Sequence, residues 1–191
     1  MPLSFSLAAQ DREYLSGLAR LSVESVFAGH REARPTEPAE SGQEAAPLRR
    51  LLGSFVTYTS GGSLRGCIGT IVGREPLYEN VWRMARASAF EDPRFPPLTQ
   101  QEWKRVETHI SVLDELTLCP DPEAVEVGKH GLVLQYQGRS GVFLPQVPVE
   151  QGWDRLAYLE HLCAKAGLPA GSWRAPGARL FWYEALVFPA E

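Results

Sequence analysis

Residues 51–72 read LLGSFVTYTSGGSLRGCIGTIV, and this stretch decides the fold. Residues 51–59 and 63–72 are both rich in β-branched and apolar residues, and Gly61-Gly62 stands between them. Two such runs joined by a glycine pair read as an antiparallel hairpin. Its second strand carries Leu64-Arg65-Gly66-Cys67-Ile68-Gly69. In extended chain, side chains two apart share a face, so Arg65 and Cys67 are expected to point the same way. A guanidinium held beside a sulfur favours thiolate over thiol. Gly66 and Gly69 let a backbone or a ligand come close, or mark a bulge.

N-terminal to the hairpin, residues 11–28 have helical periodicity, with Leu15, Leu18, Ser22 and Val26 on one stripe, Asp11 as N-cap and Gly29 as terminator. Residues 30–47 are rich in Glu, Pro, Ala and Arg without periodicity, the composition of an exposed, mobile loop. After the hairpin, Glu75-Pro76 opens a second helix with Leu77, Val81, Ala85 and Ala89 as its buried stripe. Arg83 and Arg86 fall off that stripe and read as a solvated face. Asp92-Pro93-Arg94-Phe95-Pro96-Pro97-Leu98 then forbids helix and makes a stiff loop suited to carrying functional groups.

Residues 105–113 read as a strand with Glu107, His109 and Ser111 on one face. A second hairpin is expected over 131–137 and 141–144. Asp154 caps a helix to about residue 166, with Leu156, Leu159, Leu162 and Cys163 facing inward and Gly167 ending it. Residues 178–188 make a last strand. About six strands and three long helices, joined by short turns, give an α+β protein with a mainly antiparallel sheet and flanking helices. The order, strands then helix twice over, fits a weak structural duplication.

The 191 residues suffice for one domain, 1–191, that buries a core without staples. Hydrophobic residues at 44% and charged residues at 22% are those of a soluble globular chain. A net charge of −4 argues against bulk attraction to nucleic acid or anionic membrane. No apolar run reaches spanning length. Cys67, Cys119 and Cys163 form no Cys-x-x-Cys pair, so no zinc or dithiol motif is written and no cofactor is named. With no basic leader before the first helix, a cytoplasmic chain with reduced thiols is expected.

The ordered motifs L-R-G-C-I-G-T at 64–70, D-P-R-F-P-P-L at 92–98, I-S-V-L at 110–113, V-G-K-H-G-L at 127–132, L-P-Q-V at 144–147, G-W-D at 152–154, C-A-K-A-G-L at 163–168 and E-A-L-V-F at 184–188 resemble one family. This is the AMMECR-type domain family, whose prokaryotic members are called AmmeMemoRadiSam system protein A. The resemblance implies an antiparallel α+β fold with a smaller lobe and a cleft between. It also implies association with a Memo-like protein, itself similar to a non-haem-iron dioxygenase, and with a radical-SAM enzyme. The L-R-G-C-I-G strand is the family's candidate site.

Three functions are compatible with these residues. One is a cysteine-dependent enzyme or redox component in which Cys67 acts and Arg65 tunes it, with a base from His109, His130, His161, Glu107 or Glu184. The second is a non-catalytic module whose cleft, lined by Leu64, Gly66, Ile68, Gly69, Asp92, Arg94, Phe95 and His130, binds a peptide, a small anionic ligand or a partner enzyme. The third, a regulator linked to nucleic acid, is disfavoured by the acidic charge. Taken alone, Asp92 reads as a cap and His130 as a surface turn residue. A monomer or small homo-oligomer is expected.

Overall fold

The computed structural model describes residues 3–39 and 46–190. In chain order the elements are α1 (Ala9–Phe27), α2 (Ala46–Arg49), β1 (Leu52–Ser60), β2 (Ser63–Val72), α3 (Leu77–Phe90), α4 (Gln100–Trp103) and β3 (Glu107–Leu113). There follow β4 (Thr117–Leu118), β5 (Gly131–Tyr136), β6 (Arg139–Phe143), α5 (Gln146–Glu150), α6 (Arg155–Lys165), β7 (Arg179–Tyr183) and β8 (Ala185–Pro189). They form two compact units, residues 1–113 with 186–191 and residues 114–185. The α+β class is observed, but the strands form two four-stranded sheets, β2-β1-β3-β8 and β4-β7-β5-β6. The expected single last strand is two, because the chain leaves one sheet after Tyr183 and enters the other at Ala185.

In the first unit the hairpin forms as its sequence demands. Gly61 and Gly62 take φ of +56° and +77°, values an L side chain rarely adopts. One sheet face is apolar: Val56 and Tyr58 of β1 and Ile110 and Val112 of β3 pack on Leu15, Leu18 and Val23 of α1 and on Leu77, Val81, Ala85 and Ala89 of α3. The Tyr58 hydroxyl, buried with its ring, donates to the Ala85 carbonyl at 3.1 Å. Asp11 lies inside α1 rather than at its cap, and its carboxylate accepts the Ala8 N–H at 2.8 Å. Arg86 is not solvated: its guanidinium donates to Ser25 Oγ at 2.9 Å and lies over the Trp82 ring. It also reaches the Arg31 carbonyl, and the Tyr14 hydroxyl donates to Thr36 O, so the described part of the 30–47 segment is tied to α1 and α3. Residues 40–45 of that segment lie outside the described residues.

In the second unit α6 starts where Asp154 caps it, accepting the Ala157 N–H at 2.8 Å. Tyr158, Leu159, Leu162 and Cys163 face Leu132, Leu134 and Leu180 of the sheet. Leu156 does not, being 52% exposed. The hairpin turn is shorter than expected: Gln137 and Gly138 alone make it, with φ of +50° and +73°.

The two units repeat one motif. β1-β2-α3-β3 and β5-β6-α6-β7 are each a hairpin, a helix and a strand pairing antiparallel with the first strand of the hairpin. In both, a glycine of the second strand touches the backbone of the following helix. A Cβ on Gly66 would lie 2.2 Å from Ser88 O, and one on Gly141 would lie 2.8 Å from Leu162 O. Each sheet takes its fourth strand from chain running on out of the other unit: β4 follows β3 but pairs with β7, and β8 follows β7 but borders β3.

Truncating the buried Leu162 to alanine is expected to cost about 2–5 kcal/mol, and Leu156→Ala less than about 0.5 kcal/mol. Urea unfolding of the two variants tests which side of α6 faces the core.

Candidate functional site

β2 ends its sheet, so its outer backbone groups need partners. Side chains supply them. The Cys67 N–H donates to Asp92 Oδ2 at 2.9 Å, and Arg94 Nη2 donates to Cys67 O at 3.1 Å. Arg94 is held in turn by Asp92, with Nε 2.9 Å from Oδ1 and Nη2 2.7 Å from Oδ2. Asp92 and Arg94 thus satisfy both backbone groups of Cys67 as a neighbouring strand would. At the next residue the Ile68 N–H donates to Ser88 Oγ at 2.7 Å, and that hydroxyl donates to Val56 O at 2.7 Å. The Gly66 contact is what brings α3 near enough for Ser88 to enter the ladder. Gly69 makes room for a ring instead, since a Cβ there would lie 2.2 Å from Cγ of the Phe55 ring.

Arg65 does not serve the sulfur. Its Nε lies 3.0 Å from Glu102 Oε1 and its Nη2 3.3 Å from Oε2. Thr99 fixes that carboxylate through its N–H at 2.9 Å and its hydroxyl at 2.7 Å. The expected pairing of Arg65 with Cys67 fails because the register shifts between Tyr58 and Thr59 and Arg65 has no partner in the ladder. Phe95 lies under both cations, 5.9 Å from the Arg65 guanidinium carbon and 5.5 Å from that of Arg94. Arg94 is half exposed, Phe95 is half buried, and Pro93, Pro96 and Pro97 are exposed.

The thiol itself is partly buried, and Thr57 Oγ1 donates to Cys67 Sγ at 3.2 Å. Burial raises its pKa, opposed more weakly by the Thr57 hydrogen bond and the Arg94 charge. The shift is opposite to the one a guanidinium beside the sulfur would give. The Arg94 hydrogen bond and the Cys67 N–H hold the Asp92 carboxyl well below the usual range despite its burial. The Arg65 hydrogen bond and those from Thr99 push Glu102 down to about 2.

Leu64, Gly66, Ile68, Gly69, Asp92, Arg94 and Phe95 are gathered in the first unit. His130 belongs to the second. It is 4% exposed rather than a surface turn residue, because its ring lies 4.4 Å from that of Trp182 and its Nδ1 accepts the Glu126 N–H at 3.0 Å. Burial pushes its pKa down, so the ring is neutral. Among the described residues no group of three His, Cys, Asp or Glu side chains is placed to hold a metal ion.

Thr57, Ser88 and Glu102 are hydrogen-bonded to Cys67, Ile68 and Arg65 and join the candidate site, although none of them was among the expected residues. Thr99-Gln100-Gln101-Glu102 did carry a capping-box signal, and both halves form. Thr57 carried none: counting back from the Gly61-Gly62 turn without a bulge pairs Cys67 with Val56, whereas it pairs with Thr57. On the far side Thr57 pairs with His109. The row Cys67–Thr57–His109 has a counterpart in the second unit, where the same positions are Val142, Val133 and Phe181. The motif therefore packs with an apolar row, and the thiol, hydroxyl and imidazole are not required by its geometry.

A family model described as AMMECR1 matches residues 16–188. Protein MK0488 of Methanopyrus kandleri is 36% identical, the match covering 97% of this chain and 91% of that protein. Protein NEQ441 of Nanoarchaeum equitans is 35% identical, over 93% and 99%. A crystal structure of the uncharacterised protein PH0010 from Pyrococcus horikoshii superposes with a TM-score of 0.84 at 33% identity, covering 97% of this chain and 94% of that one.

Two outcomes are expected from this geometry. First, iodoacetamide at pH 7.5 should label Cys67 more slowly than it labels free cysteine, as peptide mapping will show. Arg65→Ala should leave that rate within about twofold, and Thr57→Val should slow it, since it removes a bond that favours thiolate. A rate above that of free cysteine would mean an activated thiol. Second, Asp92 and Glu102 have folded pKa values below their unfolded ones of about 3.9 and 4.3. Both therefore stabilise the fold above pH 4, and that stability fades as pH drops toward 2 and below. Asp92→Asn should cost about 1–3 kcal/mol at pH 7 and flatten the loss of urea resistance between pH 4 and pH 2.

Proposed function

The chain belongs to the AMMECR1 family, and on that premise we propose that it is a partner-binding component whose contact surface is β2 around Cys67 together with the 92–98 loop. One observation carries the reading: where the second unit has Val142 and Val133, this unit has Cys67 and Thr57. These polar groups, which packing does not need, stand on and beside the strand whose outer edge Asp92 and Arg94 complete.

The features beside them are those of a binding hot spot. Arg94 and Phe95 are an arginine and an aromatic ring in contact, and such residues dominate interface energetics. They stand among three prolines, so little conformational freedom is lost on docking. Leu64, 42% exposed, adds an apolar contact. The raised thiol pKa favours recognition over nucleophilic catalysis. We propose a Memo-like protein and a radical-SAM enzyme as partners, on the resemblance to the prokaryotic family members that carry that association in their name. A small anionic ligand or peptide on the same surface is the alternative. Three free cysteines support a place in the cytoplasm. No helix among the described residues is long and apolar enough to cross a membrane.

The experiment is titration calorimetry of the full chain against a purified Memo-like protein. Binding should weaken at least tenfold in Phe95→Ala and in Cys67→Val, which copies the second unit, while Arg155→Ala changes nothing. Binding unaffected by Phe95→Ala and Cys67→Val, or no binding to the wild type, would overturn the partner assignment.

A further inference from the structure

Two adjoining clefts lie elsewhere in the first unit. Ser16, Arg20 and Glu24 of α1, Trp103 and Lys104 at the end of α4, and Val106 and Thr108 line a cleft of about 260 Å³. A neighbouring cleft of about 460 Å³ shares Arg20, Val106, Thr108 and Ala190 with it and adds Glu107 and His109. Arg20 and Lys104 are exposed, and neither has an ion-pair partner among the described residues. The walls also carry two carboxylates, each hydrogen-bonded to a neutral donor. Glu24 Oε1 accepts Trp103 Nε1–H at 3.3 Å, and Glu107 Oε2 accepts the Thr59 hydroxyl at 3.4 Å.

Helix α1 pairs cations elsewhere through its neighbours, as Arg12 does with the Leu7 carbonyl at 3.1 Å. Arg20 instead stands at the junction of the two clefts with all its donors available. Lys104 supplies a second cation from a different element, and the Thr108 hydroxyl has no hydrogen-bond partner among the described residues. Apolar surface comes from Val106, Ala190 and the indole of Trp103, whose ring is fixed edge-on to Tyr58 at 5.6 Å. His109, paired across the ladder from Thr57, closes the second cleft and offers a ring nitrogen.

We propose that this double cleft binds a small organic anion, its carboxylate or phosphate held between Arg20 and Lys104 and its apolar body laid against Trp103 and Val106. A guanidinium takes two oxygens of such a group side by side, and an ammonium adds a point charge. The indole wall selects anions with a flat apolar part over bare inorganic ions. The site shares none of the residues proposed to contact a partner on β2 and the 92–98 loop, although His109 stands next to Thr57 in the ladder.

The test is titration calorimetry of the full chain in low salt with phenyl phosphate, benzoate and inorganic phosphate as probes. Phenyl phosphate or benzoate should bind at least tenfold more tightly than inorganic phosphate, and the stronger of the two identifies the head group. Arg20→Ala should weaken that binding at least tenfold and Lys104→Ala at least threefold, with Arg155→Ala in the second unit as an unchanged control. The Trp103 indole N–H resonance should shift on addition of the same probe. No binding, binding that survives Arg20→Ala, or an unmoved Trp103 resonance would overturn the proposal. None of these outcomes bears on partner binding at Cys67.

Discussion

The contact between the Ser88 carbonyl and Gly66 sets the geometry of the first unit. Any side chain at residue 66 would drive α3 off the sheet, since a Cβ there falls 2.2 Å from that oxygen. With the helix seated so closely, the Ser88 hydroxyl reaches between β1 and β2 and links Ile68 N–H to Val56 O. Asp92 follows just beyond the end of the helix and meets the Cys67 N–H. Arg94, placed by Asp92 and by the turn of the proline loop, then meets the Cys67 carbonyl. One missing methyl group thus positions a helix, completes a sheet edge and fixes the backbone of the candidate site.

The second unit shows what that arrangement requires and what it does not. Gly141 plays the part of Gly66 against α6, so close helix-to-sheet contact is a property of the repeated motif. The row Val142–Val133–Phe181 is the packing solution for the same three positions. Cys67, Thr57 and His109 depart from it together. Replacing apolar groups by polar ones on a sheet face gains nothing in burial, and here it leaves a thiol whose hydrogen-bonding neighbour is a threonine hydroxyl.

Much of this was legible along the chain. The Gly61-Gly62 turn, the Leu77–Ala89 stripe and the Asp154 cap are local signals, and each forms where its residues place it. Other features depended on partners distant in sequence. The bulge at Tyr58/Thr59 exchanges the cross-strand neighbour of Cys67 from Val56 to Thr57, and nothing in a run of alternating residues announces an extra one. Glu102 captures Arg65 across 37 residues. His130 looked like a turn residue beside Lys129 and is buried because Trp182, on another strand, covers it.

By itself, then, the sequence determined the hairpins, the long helices and their buried stripes, because turn conformation and amphipathic periodicity act over a few residues. It also identified the family through motifs spread across the chain. Tertiary structure alone decided that the strands divide into two sheets with fourth strands crossing over, that Arg65 belongs to Glu102, and that Cys67 lies partly buried beside Thr57. Those outcomes follow from register, burial and long-range ion pairing, which are properties of chain segments brought together and not of any one segment read in isolation.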